Sequence, residues 1–86
     1  MENQIHDAIQ KTNRFMKDVH NLEYFVGEIR KREEESPSFQ ITFIGSAEKK
    51  IVIEVLANGS STVLLTRDVN YSELSVFMNK FMESLS

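Results

Sequence analysis

The sequence predicts an α+β domain of order α-β-β-β-α, in which a three-stranded antiparallel meander packs against helices, the first of them long. Three observations carry that prediction. Over the first third of the chain, apolar residues recur at steps of three and four, the spacing of one helix face. Between Ser38 and Arg67 the spacing falls to two, and turn residues interrupt it at Gly45-Ser46-Ala47-Glu48 and Asn58-Gly59, leaving three short strands. From Leu74 onward the helical spacing returns.

Residues 3–35 read as the first helix. Ile5, Ala8, Ile9, Thr12, Met16 and Val19 lie on one stripe, which Leu22, Val26 and Ile29 continue and Phe15, Tyr24 and Phe25 widen. A straight helix of this length measures about 48 Å, against roughly 20–25 Å for the strands that follow. It must therefore overhang the sheet or break. The weakest stretch is His20-Asn21-Leu22, where the stripe slips and Asn21 could cap a second piece. Gly27 is a second weak point, costing about 1 kcal/mol relative to Ala. A single long helix, bent if anywhere near residues 20–22, is preferred over two. Pairs at i,i+4 (Asp7–Lys11, Arg14–Asp18, Glu28–Arg32, Arg30–Glu34, Lys31–Glu35) would support it. Ser36-Pro37 ends it, because the residue before proline is pushed out of the helical region.

The meander occupies residues 38–67. Phe39, Ile41 and Phe43 share one face of the first strand, and Ile51, Ile53 and Val55 share one face of the second. Asn58-Gly59 is a hairpin signal. A two-residue loop would set Ile53 opposite Leu64 and scramble the faces. A three-residue loop, Ala57-Asn58-Gly59 with Gly59 left-handed, sets Ile53 opposite Val63 and Ile51 opposite Leu65, so the apolar sets coincide. The three-residue loop is therefore expected.

The last helix spans 71–85. Asn70 is a suitable N-cap and Glu73 stands three residues on, where it could return the hydrogen bond. Val69 and Leu74 are placed to form a hydrophobic staple, and Leu74, Phe77, Met78, Phe81 and Leu85 form the apolar stripe. The order helix, three strands, helix resembles that of the double-stranded RNA-binding domain. That family opens its last helix with a Lys-Lys-x-x-x-Lys patch aimed at phosphates. Here Asn70-Tyr71-Ser72-Glu73-Leu74 carries no positive charge, and Lys80 is the one basic residue of the helix, so the resemblance does not extend to RNA binding.

Chemistry is sparse along the whole chain. Its 86 residues fit one domain, 1–86, and its ten basic and thirteen acidic residues leave a net charge of −3. That balance argues against general phosphate binding. There is no cysteine. The N-terminus has no basic-then-apolar pattern and no apolar run approaches the ~20 residues of a membrane span, so a cytoplasmic protein without membrane contact is expected. His6 and His20 would stand about 21 Å apart along one helix and could not share a metal. Asp68-Val69-Asn70-Tyr71-Ser72 opens like an EF-hand loop but lacks its central glycine, and Asn79 stands where the closing Glu belongs. Gly27, Gly45 and Gly59 are too far apart for a phosphate loop. No catalytic residue, metal site or cofactor is assigned, and neither an enzyme nor a small-molecule substrate is expected.

What remains is surface. Phe39, Ile41, Phe43, Ile51, Ile53, Val55, Val63 and Leu65 form the inner face of the sheet. The outer face is not cleanly polar: Val52 lies between Thr42 and Leu64, with Ile44 and Leu56 nearby. Something is expected to cover it, whether the first helix folded back, a second copy or a different protein. The stripe of Ile5, Ile9, Met16 and Val19 also fits a short coiled-coil seam. The sequence thus reads as a small non-enzymatic protein-binding module, an adaptor, secretion-type chaperone or inhibitor, acting as a homodimer. Its candidate contact residues are Ile44, Val52, Leu56, Leu64, Ile5, Ile9, Met16 and Val19. The alternative is nucleic-acid binding through Lys11, Arg14 and Lys17 or through Arg30, Lys31 and Arg32.

Overall fold

The computed structural model describes residues 1–85. Helix α1 runs Glu2–His20, followed by β1 (Tyr24–Arg32), β2 (Ser38–Gly45), a short 3-10 turn (Ser46–Glu48), β3 (Lys50–Leu56), β4 (Ser61–Arg67) and α2 (Tyr71–Leu85). The strands form one antiparallel sheet in the order β1-β2-β3-β4. The class is α+β, but the meander has four strands rather than three. The additional strand is the second half of the expected long helix.

The reason lies at two residues. Asn21 adopts the left-handed conformation (φ 55°, ψ 37°), and its N–H donates to the Lys17 carbonyl at 3.0 Å. That geometry stops a helix, and asparagine tolerates it better than most residues. Asn21 is thus the stop of α1 and not the cap of a second helical piece. Beyond it Tyr24 faces in, Phe25 out and Val26 in. A bulge at Gly27 then shifts the register between Val26 and Glu28, so that the next inward apolar residue is Ile29. The bulge turns a step of two into a step of three, which imitates helical spacing. Of the i,i+4 pairs expected here, Glu28–Arg32, Arg30–Glu34 and Lys31–Glu35 do not form. Arg30 instead meets Glu28 at 3.2 Å along the strand, and Lys31 meets Glu33 at 3.3 Å. Asp7–Lys11 closes at 2.9 Å within α1. The order of elements consequently departs from the RNA-binding domain it resembled.

The remaining strands follow their pattern closely. Phe39 pairs with Val55, Ile41 with Ile53 and Phe43 with Ile51. The β3–β4 connection is the expected three-residue loop. Leu56 N–H donates to Ser60 O at 2.9 Å, Gly59 N–H donates back to Leu56 O at 2.9 Å, and Gly59 sits at φ 90°. Ile53 pairs with Val63 as expected, but Ile51 pairs with Thr66 and not with Leu65. A second bulge, at Leu64, sets Leu65 opposite Val52 and so moves it to the outer face.

The core lies between the inner face of the sheet and the two helices, which pack against one another. Ile5, Ala8, Ile9, Thr12 and Met16 of α1 meet Phe77, Met78 and Phe81 of α2 above Phe39, Ile41, Phe43, Ile51, Ile53 and Val55. Phe43 stands edge-on to Phe77, ring centres 4.8 Å apart, and Tyr24 also stands edge-on to Phe77 at 5.2 Å. At the start of α2, Glu73 N–H donates to Asn70 Oδ1 at 2.8 Å, the expected cap.

Candidate functional site

The outer face is built by alternation and then altered by the two bulges. Because Phe39, Ile41 and Phe43 point to the helices, Gln40, Thr42 and Ile44 point away from them. Phe25 lies opposite Ile44, Val52 opposite Thr42 and Leu65, and Lys50 opposite Ile44 and Arg67. Phe25 is 60% exposed, Ile44 45%, Leu64 47% and Leu65 50%. Val52 is only 7% exposed, sheltered among these neighbours. A Cβ on Gly27 would come within 2.5 Å of Ile44 Cδ1, so the isoleucine lies across the bare backbone of the bulge. The result is a diagonal apolar band from β1 to β4.

Of the candidate contact residues, Ile44 and Val52 lie in this band; Leu64, expected opposite Val52, is instead the exposed bulge residue beside Leu65, which takes that pairing. Leu56 is half-buried at the far end of β3, opposite Ser38. Ile5, Ile9 and Met16 are buried in the core of this same chain, which accounts for the stripe without a coiled coil. Val19, by contrast, is exposed on α1. Two band residues escaped the sequence reading. Phe25 lies on a segment with helical spacing, and alternation alone puts Leu65 on the inner face because nothing local announces the bulge at Leu64.

Charges on the face are unevenly matched. Towards the β1–β2 hairpin, Arg32 lies 3.9 Å from Glu54, which also accepts from Ser38 Oγ at 3.2 Å. Arg30 is paired with Glu28. Lys50 and Arg67, at the opposite end, stand directly across from each other. Of the basic runs considered for nucleic acid, Arg30-Lys31-Arg32 is split between faces, since Lys31 sits on the helix side, 5.9 Å over the Phe39 ring. Lys11 and Lys17 are engaged by Asp7 and Glu23 at 2.9 and 2.7 Å. The hydrogen bond and charge of Glu23 raise the Lys17 pKa above its ordinary value.

A second polar constellation ties the fold together. The Tyr24 hydroxyl donates to the Glu73 carboxylate, and Lys49 Nζ reaches the same carboxylate at 2.9 and 3.2 Å. Burial, then the Glu73 hydrogen bond and charge, push the Tyr24 phenol well above its usual range. Such a phenol stays protonated at neutral pH and joins β1 to α2. Glu73, expected to return the cap to Asn70, is used here instead. Among the described residues no group of three or more His, Cys, Asp or Glu is placed to hold a metal ion, and no helix is long and apolar enough to cross a membrane. Comparison with family models, curated proteins and solved structures finds no match to this chain.

Proposed function

We propose that this chain is a small, non-enzymatic protein-binding module of the adaptor, chaperone or inhibitor kind, and that it binds through the outer face of its sheet. The observation that carries the reading is the band itself. Four large apolar side chains, each close to half exposed or more, stand together on a face that none of the described residues covers. Contiguous exposed apolar surface of this kind marks interaction sites more often than it occurs by chance. Two routes cover it: a second copy, or a different protein.

Two measurements test the proposal. A hydrophobic dye should fluoresce on the native protein, and Ile44→Gln with Leu65→Gln should abolish that signal without altering the unfolding midpoint. Sedimentation then separates self-association from a free face. A chain that sediments as a clean monomer and leaves the dye dark would remove the basis for the proposal.

A further inference from the structure

We propose that the occupant of the outer face is an acidic amphipathic segment of another protein. Its apolar side chains cover Phe25, Ile44 and Leu65, and a carboxylate seats between Lys50 and Arg67. This rests on the outer face being a protein-binding surface and adds the chemistry of what it binds.

The outer face carries an electrostatic conflict. Lys50 and Arg67 are cross-strand partners, and like charges directly opposite on one face are destabilising. Among the described residues neither has a carboxylate within ion-pair distance. Every other cation of this face does: Arg30 has Glu28 and Arg32 has Glu54. Lys49, next in sequence but turned to the helix side, has Glu73. Folding gains nothing from the unmatched pair, and a local conflict left standing in an otherwise consistent fold points to a use outside it.

The pair is also contiguous with the apolar band, because Lys50 lies opposite Ile44 and Arg67 follows Leu65 by two positions. Across the face, four cations (Arg30, Arg32, Lys50, Arg67) stand against two carboxylates (Glu28, Glu54), although the whole chain carries −3. This sign decides among occupants. A second copy stacked face to face would oppose two surfaces of the same sign. Single-stranded nucleic acid would answer the charge but binds by stacking bases on aromatic rings. Here Phe25 is the one exposed aromatic of the band, beside aliphatic Ile44, Leu64 and Leu65. A protein segment with alternating acidic and apolar side chains answers both features.

The test titrates the isotope-labelled full chain, by NMR, with three 12-residue peptides. They share the same leucines and carry Glu, Gln or Lys at every polar position. The Glu peptide should shift the amides of Phe25, Ile44, Lys50, Leu65 and Arg67 and bind about tenfold more tightly than the Gln peptide, with the Lys peptide weakest. Lys50→Glu with Arg67→Glu should invert that order, and Lys50→Gln with Arg67→Gln should flatten it, each in a chain whose spectrum is otherwise native. Equal binding of all three peptides at this face would overturn the proposal and leave the protein-binding reading standing. So would a dimer that buries these same amides and excludes every peptide. Tighter binding of a 12-nucleotide single-stranded RNA at the same amides would overturn both. If no peptide moves these amides at about 1 mM, the proposal fails, and the dye and sedimentation measurements decide the broader reading alone.

Discussion

Glu73→Ala is expected to destabilise the protein by about 2–4 kcal/mol, although the residue sits in the first turn of a helix, directly after the exposed Tyr71 and Ser72. The size follows from what the carboxylate holds. It accepts a hydrogen bond from the hydroxyl of Tyr24, a residue only 3% exposed, and such a bond to a charged acceptor contributes a net ~1.5–3 kcal/mol. Without the carboxylate that hydroxyl loses its hydrogen-bond acceptor while the residue stays buried. Lys49, whose side chain is 22% exposed, can turn towards water, so its ion pair adds about 1 kcal/mol or less. A chain of 86 residues has a total stability of roughly 4–13 kcal/mol at ~0.05–0.15 kcal/mol per residue. The loss is therefore a large fraction of the whole and should lower Tm by roughly 10–30 °C. Urea unfolding followed by circular dichroism measures it directly, provided the slope of free energy against urea is unchanged. Combined with Tyr24→Phe in a double-mutant cycle, it should show a coupling of at least about 1 kcal/mol. A cost below about 0.5 kcal/mol, or simple additivity with Tyr24→Phe, would mean that the carboxylate is solvated and that β1 is not tied to α2 through it.

Phe77→Ala should cost about 3–5 kcal/mol in the same urea assay, since the ring is fully buried and in edge contact with Tyr24 and Phe43; a loss under about 1 kcal/mol would mean that the core collapses around the gap. Thr12→Val should raise stability by about 1 kcal/mol, because the Thr12 hydroxyl is buried with no partner among the described residues and valine keeps the shape. A destabilised variant would show that the hydroxyl is bonded in solution. The raised Tyr24 pKa fixes a sign at high pH. Above its ordinary value of 10.0, the folded state keeps a proton that the unfolded chain has lost, so stability falls as pH rises, by up to about 1.4 kcal/mol per pH unit. Urea midpoints compared at pH 9 and 11 should show this slope in the native protein and its absence in Tyr24→Phe; equal slopes would contradict the burial of the phenol. Asn70→Ala should cost about 1 kcal/mol through the lost cap on α2, and an unchanged unfolding midpoint would show that water replaces it.

Where structure is decided by neighbours in the chain, the sequence alone determined it. The pairing of β2 with β3, the Ala57-Asn58-Gly59 loop and the bounds and cap of α2 rest on alternation, on one left-handed glycine and on one asparagine side chain, all of them local. β1 was hidden because a bulge adds one residue to a period of two, and Val26 and Ile29 then keep helical spacing. Asn21 was ambiguous because the same residue type suits either end of a helix. Only the tertiary structure decided which surface each apolar set would meet. The stripe of Ile5, Ile9 and Met16 called for a partner, and an amphipathic pattern is the same whether that partner is another chain or the chain's own α2 and sheet. Glu73 was free to cap its own helix until folding brought Tyr24 and Lys49 beside it, 49 and 24 residues away. Ile44 and Val52 were legible as an apolar outer face from alternation alone. That Phe25 and Leu65 join them, with Lys50 and Arg67 unmatched at their edge, depends on two bulges. The energy of a bulge comes from the packing of both faces at once, which no single stretch of sequence contains.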